Sequence, residues 1–319
     1  MIYTLGVNLS HDASLCLLEN DKVIFYLEEE RTSRIKRDNF PATTFNEIKK
    51  HCKEPLDYVA LISAKKVIPE AIEFIKYSLT KHNLIKQETT IHSLAGQHHM
   101  CHATNAFFSS GFEDAGCIII DGSGSETNRG VEIESHFYAT ALLKDKITCI
   151  KSKTYDEFNP GSISLGRAFD LIARYCGFSI NGDAGKVMGL APYGNYKNVP
   201  QLFTEQGESN PEIITWNEIK LNVNPKDLAA RIQKDSLEVA INSIQSVIEY
   251  TDCDNICLSG GYFLNCVNNY AYLKKFPDVN FYIDPISHDG GTAIGAAKIV
   301  YDKYHTQYKP QKLETLYLG

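Results

Sequence analysis

Several features of membrane, secreted and polyanion-binding proteins are missing from this sequence. No apolar run among its 319 residues is long enough to span a bilayer. The first residues have neither the basic region nor the cleavage site of a signal peptide. The 32 basic and 39 acidic residues give a net charge of −7, so we expect no broad nucleic-acid-binding surface. These absences predict a cytoplasmic protein without a membrane segment.

Paired cysteine motifs and a P-loop are also missing. The nine cysteines are scattered, and no second close pair accompanies Cys253 and Cys257, which excludes a zinc knuckle. Thiols in this pattern are typical of a reducing compartment. The glycine-rich segment 181–194 does not have the spacing of a Walker site. What the sequence does have is 43% hydrophobic residues and enough length for two lobes.

Hydrophobic periodicity predicts an α/β protein. A buried strand at 2–8 breaks into a small polar loop and continues as a hairpin, which suits a ribonuclease-H-like lobe. Strands are predicted at 2–8, 14–18, 23–27, 58–63, 116–120, 131–143, 146–155, 255–258 and 279–283. Helices are predicted at 43–52, 69–81, 98–110, 162–176, 227–250 and 293–300. This alternation is characteristic of the α/β class.

Two histidines and two aspartates are candidate metal ligands. His98 and His102 stand four apart in a helical run, so both imidazoles project from one face. A pair of histidines on an ordinary helix surface has the same spacing, and the sequence leaves this alternative open. Asp121 and Asp289 each precede a glycine at the end of a predicted strand, where a carboxylate can hold a cation.

Five small-residue loops follow a strand or open a helix. They lie at 10–14, 121–125, 182–186, 259–264 and 288–292. In an open α/β architecture such loops converge on one cleft, so together with the histidines they predict a nucleotide and a metal between two lobes. The run 28–37 changes from acidic to basic, and it is either a solvated surface or the wall of a pocket for an anionic substrate.

The motifs in these loops also carry a family resemblance. SHDAS, EEERTSRIK, HHMCHATNAFF, IIDGSGSE, GKVMGLAPYG, SGGYFLNCVNN and HDGGTAIGAA follow one another from residue 10 to about 297. With them the chain resembles the O-carbamoyltransferase family of NodU/CmcH type. The resemblance implies an actin-like ATPase fold, shared with the universal tRNA threonylcarbamoyltransferase. We expect a first ribonuclease-H-like lobe at 1–112 and a second at 113–319, with an insertion at about 195–224.

The resemblance also implies the site residues. It implies iron, or alternatively zinc, manganese or magnesium, held by His98, His102, Asp121 and Asp289, with ATP or carbamoyladenylate bound beside it. The expected nucleotide-binding residues are Ser123, Gly124, Gly185, Lys186, Ser259, Gly260, Gly261, Asn265 and Gly290. We expect His11 to act as a base because its ordinary pKa of about 6.5 lies near neutral pH. Lys36 and Arg31 are expected to stabilise negative charge on the transferred group. The alternative for His11 is a loop histidine that only pairs with Asp12.

The activity that the resemblance implies is transfer of a carbamoyl group from carbamoyladenylate to a hydroxyl of a small-molecule, sugar or nucleoside acceptor. Family members usually carry a second, YrdC-like domain that makes carbamoyladenylate from carbamoyl phosphate and ATP. This sequence ends about where that domain would begin, so we expect a separate YrdC-like chain to supply the donor. A non-catalytic nucleotide sensor and a sugar-kinase-like phosphotransferase are the alternatives. The imidazole pair disfavours the kinase, since Mg²⁺ prefers carboxylates and water.

Overall fold

Strands and helices alternate along most of the chain, as the hydrophobic pattern predicts. The computed structural model describes residues 1–65, 67–143, 145–156, 163–179, 182–315 and 317–318. The strands are β1 Tyr3–Asn8, β2 Ser14–Glu19, β3 Lys22–Glu28, β4 Leu56–Ile62, β5 Ile85–Ser93, β6 Asp114–Ile120, β7 Glu126–Thr127, β8 Gly130–Thr140, β9 Ile147–Tyr155, β10 Asn255–Ser259 and β11 Asn280–Ile283. The helices are α1 Glu29–Ser33, α2 Phe45–Ile48, α3 Pro69–Lys81, α4 His98–Ser110, α5 Leu165–Tyr175, α6 Ala184–Leu190, α7 Pro225–Thr251, α8 Cys266–Lys275 and α9 Thr292–Tyr304.

The chain folds into two units. The first comprises Met1–Asp114, Ala139–Thr148 and Asp284–Gly319, and the second comprises Ala115–Tyr138 and Cys149–Ile283. This division differs from the predicted boundary at 112/113, because the last part of the chain returns to the first unit. There α9 packs against β1, β2, β4 and α4, a tertiary contact that the local sequence pattern does not show.

The sheet of the first unit has the order β3-β2-β1-β4-β5. β1, β2 and β3 are antiparallel neighbours, whereas β4 and β5 run parallel to β1. All six residues of the central strand β1 are buried, and Tyr3, Leu5 and Val7 pack into the core of this unit. The predicted N-terminal strand and hairpin and the α/β class are therefore confirmed.

Glycines let the helices of the first unit approach the sheet and each other very closely. A Cβ at Gly6 of β1 would lie 1.9 Å from the carbonyl oxygen of Ala293, and one at Gly295 would lie 1.9 Å from that of Cys101. Neither position has room for a methyl group. The sequence Thr-Ala-Ile-Gly-Ala-Ala at the start of α9 thus seats this helix between β1 and α4.

The second sheet has the order β11-β10-β6-β8-β7, with β9 paired to β8. β6, β10 and β11 are parallel, so the carboxyl ends of β6 and β10 lie side by side. Asp121 follows β6 and Gly260 follows β10, which brings these two loops of the second unit together. The core beneath them includes Ile118 and Leu258 from the sheet and Ile244 from α7. Within the described residues, no helix is both long enough and apolar enough to cross a membrane.

Some predicted elements differ from the structure. The helix predicted at 43–52 is reduced to the four residues of α2, followed by turns. β5 was not predicted because its polar sequence IKQETTIHS belongs to an edge strand. Part of the glycine-rich segment forms the helix α6. Segment 195–224 contains isolated antiparallel β-bridges, and its residues Leu202 and Phe203 are buried beside α7. The predicted helix start at Ser162 and the opening residue Asn181 of the glycine-rich segment lie outside the described residues.

A buried carboxylate joins three elements of the second unit. Glu134 of β8 lies 2.6 Å from His136 Nε2, accepts a hydrogen bond from Lys153 Nζ of β9 at 2.9 Å, and accepts another from Ser243 Oγ of α7 at 2.6 Å. Burial raises the pKa of Glu134, but the hydrogen bond from His136 and the charge of Lys153 outweigh it and hold this pKa well below its ordinary value of 4.5. Glu134 therefore stays charged in the folded protein.

We predict that Gly295→Ala lowers the free energy of unfolding by about 1–3 kcal/mol, because the new methyl group meets the Cys101 carbonyl. Gly189→Ala in α6 is the matched control, since no atom of the described residues outside its own helix lies within 4 Å of its Cβ position. There the better helix propensity of alanine stabilises the protein by up to about 1 kcal/mol. Urea unfolding measures both. Equal effects of the two substitutions would contradict the close packing of α9.

The charge of Glu134 makes the stability of the protein depend on pH. A carboxylate whose pKa is lowered by folding stabilises the protein above its unfolded pKa, and this contribution is lost as the pH falls. The difference in unfolding free energy between the native protein and Glu134→Gln should therefore narrow as the pH is lowered from about 6 towards about 3. Glu249→Gln, an exposed position on α7, is the control and should show no such trend. A constant difference for Glu134→Gln would show that its charge does not stabilise the fold.

Candidate metal and nucleotide site

The helix α4 presents two buried histidines to one carboxylate. His98 and His102 are fully buried, and their Nε2 atoms lie 3.2 Å apart. Asp289, also buried, places Oδ1 3.4 Å from His98 Nε2 and 3.8 Å from His102 Nε2. The alternative of two histidines on an exposed helix surface is therefore wrong, since both rings turn inward to the same point of the first unit.

These three side chains fit a metal ion. Nitrogen and oxygen ligands at about 2.1 Å from one ion lie roughly 3.0–3.4 Å from each other, close to the spacings found here. Burial raises the pKa of Asp289, but attraction to His98 and hydrogen bonds from both imidazoles lower it well below its ordinary value, so the ligand is a carboxylate. His98, His102 and Asp289 belong to a group of side chains that could hold a cation. Imidazole with carboxylate suits iron, zinc or manganese better than magnesium. The choice of iron stays a prediction.

The loop that carries Asp289 is fixed from several sides within the first unit. Asn8 Nδ2, at the end of β1, donates to the carbonyl oxygen of Asp289 at 3.1 Å. Ser14 Oγ, at the start of β2, donates to the carbonyl of Gly290 at 2.7 Å. Thr292 Oγ1 donates back to the Asp289 carbonyl at 2.6 Å. A Cβ at Gly290 would lie 2.6 Å from Tyr26 Oη and 2.7 Å from the ring of His288, so a larger residue would displace these two side chains.

His11 lies beside the same carboxylate. Its Nε2 is 3.4 Å from Asp289 Oδ2 and its Nδ1 is 2.9 Å from Asp12 Oδ2, while half of the side chain is exposed. Arg37 Nη2 lies 3.0 Å from the same Nδ1. Burial lowers the pKa of His11, yet the hydrogen bond to Asp12 and the charge of Asp289 outweigh it and raise this pKa above 6.5. The Asp12 pairing of the alternative interpretation is present, together with a ring nitrogen turned to the candidate metal site.

The predicted cations of the charge run are placed differently. Arg31 is exposed and lies 3.6 Å from Glu30, and Lys36 is exposed without a contact to His11 among the described residues. The cation that meets His11 is Arg37, whose backbone has a φ of 57°. Catalytic roles for Arg31 and Lys36 stay predictions.

A second histidine completes the polar surroundings in the first unit. His288 Nε2 lies 3.3 Å from Glu28 Oε1, and His288 Nδ1 lies 3.9 Å from Asp12 Oδ2. Burial lowers the pKa of His288, but Glu28 and Asp12 attract its proton and raise the pKa to about 8. Sequence reasoning missed His288, Asn8 and Arg37 as individual site residues. His288 lies in a quoted motif, Arg37 directly follows one and Asn8 lies two residues before one, and these positions were the available signal.

In the second unit, Asp121 is held by backbone amides. Its Oδ1 accepts the N–H of Gly122 at 2.8 Å and that of Gly261 at 3.2 Å. Gly260 has a φ of 97°, and a Cβ there would lie 2.3 Å from the carbonyl oxygen of Ile120. Gly260 is therefore required for the two parallel strand ends to approach each other. A metal-binding role for Asp121 stays a prediction.

The other predicted nucleotide residues are spread over the second unit. Asn265 exchanges amide hydrogen bonds with Gln233 at 3.0 and 3.1 Å and caps α8, so its side chain has structural partners.

Lys186 pairs with Asp183 at 2.9 Å on the exposed side of α6. Gly185 also lies in α6, with no atom within 4 Å of its Cβ position. Ser123 is exposed, whereas Gly124 and Ser259 are buried at the strand ends. Their nucleotide contacts stay predictions.

The sheet order and the loops at the strand ends define an actin-like ATPase fold, and solved structures agree. HypF, in a phosphate- and nucleotide-bound form, has a TM-score of 0.65 and 15% identity over 95% of this chain and 46% of its own. The activator of 2-hydroxyisocaproyl-CoA dehydratase from Clostridium difficile, with bound ADPNP, has a TM-score of 0.51 and 14% identity over 98% of this chain and 100% of its own. These likenesses establish the fold.

The family follows from sequence. A family model described as carbamoyltransferase N-terminus matches residues 48–207 and 197–298, so the chain belongs to this carbamoyltransferase family. The nodulation protein NolNO of Sinorhizobium fredii is 25% identical over 351 residues, which cover 97% of this chain and 49% of that protein. The chain spans about half the length of the relatives that it matches.

We predict that His98→Ala and His102→Ala each weaken the binding of Zn²⁺ or Fe²⁺ by more than about 100-fold, since loss of a ligand exceeds the ~10–100-fold cost of losing an outer partner. Competition with a chromophoric chelator measures the affinity. His82→Ala, a histidine at the end of α3, is the control and should bind like the native protein. Full metal occupancy in either ligand variant would refute the coordination proposal.

Proposed function

We propose that this chain transfers a carbamoyl group from carbamoyladenylate to a hydroxyl of a small-molecule, sugar or nucleoside acceptor. The observation that carries the proposal is the buried set His98, His102 and Asp289, with His11 beside it, in a member of the carbamoyltransferase family. HypF, which shares the fold, was solved with bound nucleotide and phosphate, and this supports a nucleotide ligand here.

The chemistry needs three things of the protein. Carbamoyladenylate is a mixed anhydride with AMP as the leaving group. The protein must hold the acceptor hydroxyl at the carbamoyl carbon and remove its proton. It must also neutralise the negative charge that develops on the carbamoyl oxygen and the phosphate. We assign a cation to His98, His102, Asp289 and, as a fourth ligand, Asp121; when bound, it supplies Lewis acidity towards the donor phosphate. The glycine backbone at Gly260 and Gly261 would let the nucleotide approach closely, while the N–H of Gly261 is donated to Asp121.

His11 is our candidate for the general base. The carboxylate of Asp12 at 2.9 Å favours a proton on Nδ1, which leaves Nε2 to receive the hydroxyl proton. The guanidinium of Arg37 lies 3.0 Å from the same Nδ1 and can only donate, so it competes with Asp12 for this nitrogen, and its positive charge lowers the pKa of His11. Asp12 would thus orient the imidazole, as a carboxylate orients the histidine of other acyl-transfer sites.

The proposed reaction also needs a source of carbamoyladenylate. We infer that a YrdC-like enzyme activity makes carbamoyladenylate from carbamoyl phosphate and ATP. Arg31 is exposed on α1 and Lys36 is exposed in the turn after this helix, so either side chain can bind an anion without breaking a buried contact.

We predict that the chain converts hydroxyl acceptors to carbamates when it is given synthetic carbamoyladenylate, read by mass. His11→Gln should slow this transfer by about 10²–10⁴-fold, the usual contribution of a general base. His82→Gln is the matched control and should keep the native rate. A His11→Gln variant with native activity would remove His11 from the chemistry. Absence of transfer over a broad acceptor panel would favour a nucleotide sensor over a transferase.

A further inference from the structure

A series of buried polar side chains lies next to the two histidines of α4. Lys298 Nζ lies 2.5 Å from Ser109 Oγ, and Ser109 Oγ lies 3.2 Å from Asn105 Oδ1. Asn105 Nδ2 then lies 2.9 Å from Asp284 Oδ2. All four residues are at most 3% exposed, so each would cost free energy in the core without its partner. None of them takes part in the chemistry proposed above.

The two ends of the series determine the direction of every hydrogen bond. An ammonium can only donate and a carboxylate can only accept. Ser109 Oγ therefore accepts from Lys298 and donates to Asn105 Oδ1, and the amide nitrogen of Asn105 must face Asp284. Burial lowers the pKa of Lys298 to about 8, against the attraction of Cys16 and Asp284, so the ammonium is still the main form at neutral pH. The neighbours thus fix the amide of Asn105 in one orientation.

This fixed amide connects the two parts of the metal site. Asn105 stands three residues after His102 and seven after His98, hence on the same face of α4. Asp284 directly follows β11 and opens the segment that leads to Asp289; its Oδ1 accepts the N–H of Ile286 at 3.0 Å. The hydrogen bond between Asn105 and Asp284 therefore spans from the helix that carries two ligands to the loop that carries the third.

We propose that Asn105 and Asp284 are positioning residues, whose hydrogen bond sets the distance between α4 and the loop of Asp289 and thereby the affinity for the metal. This inference rests on the metal site of the proposed function. Ligands must be held within a few tenths of an ångström of productive geometry, and loss of an outer partner typically costs ~10–100-fold in metal affinity. A purely structural role would lower stability and leave the affinity of the folded protein unchanged.

An exchange of the two residues separates these roles. Asn105→Asp sets two carboxylates against each other without a donor between them. Asp284→Asn leaves one acceptor oxygen for two donors, the Asn105 amide and the Ile286 N–H. In the double variant, the amide now at position 284 donates to the carboxylate now at position 105 and accepts from the Ile286 N–H, so both of these hydrogen bonds are restored with the same total charge. Thr104→Val is the control, since the buried hydroxyl of Thr104 on the same helix makes no hydrogen bond within the described residues.

The affinity of each folded variant for Co²⁺, measured by chelator competition beside its thermal unfolding, decides the question. We expect each single variant to bind at least about tenfold more weakly, and the double variant and Thr104→Val to stay within about threefold of the native protein. Native affinity in Asn105→Asp, or a double variant as weak as the single ones, would overturn the inference. If the single variants do not fold, the double variant decides alone. A native protein that binds no Co²⁺ would instead refute the metal site, and the inference with it.

Discussion

The close seat of α9 against β1 and α4 is the constraint on which the candidate site depends. Gly6 and Gly295 leave backbone carbonyls almost in contact with Cα atoms, so the three elements cannot shift without a clash. α9 begins at Thr292, three residues after Asp289, and α4 begins at His98. Glycine packing therefore fixes how α9 lies against α4, while hydrogen bonds hold the Asp289 loop that precedes α9.

Much of this arrangement could be predicted from sequence, and the reasons for the exceptions are physical. Four-residue spacing predicted that His98 and His102 share a face, and the strand followed by a hairpin predicted the first sheet. The sequence of the basic run does not indicate which of its cations, Arg31, Lys36 or a neighbour, lies next to His11. In the structure it is Arg37, because the chain turns through positive φ at Arg34 and Arg37. No glycine at these positions indicates such a turn in the sequence.

The return of the C-terminal segment to the first unit could not be predicted either. Strand and helix patterns report the local period, whereas unit membership depends on which partner a helix packs against. The small residues of α9 indicate close packing but do not identify β1 and α4 as its partners. The polar strand β5 was not predicted for a related reason: at the edge of a sheet, a strand can keep charged and hydroxyl side chains in solvent, so it lacks an apolar pattern.

Two aspartates that look alike in sequence acquire different properties from their neighbours. Asp121 and Asp289 both precede a glycine after a strand, yet Asp121 accepts backbone N–H groups from Gly122 and Gly261, whereas Asp289 faces imidazoles. Amide donors keep a carboxylate in place and bring glycine backbone close to it. Imidazoles compensate its charge and can themselves coordinate an ion. The Asp-Gly pattern thus indicates only that a carboxylate lies at a strand end. The neighbouring elements, α4 in one unit and the loop after β10 in the other, determine which donors hold that carboxylate.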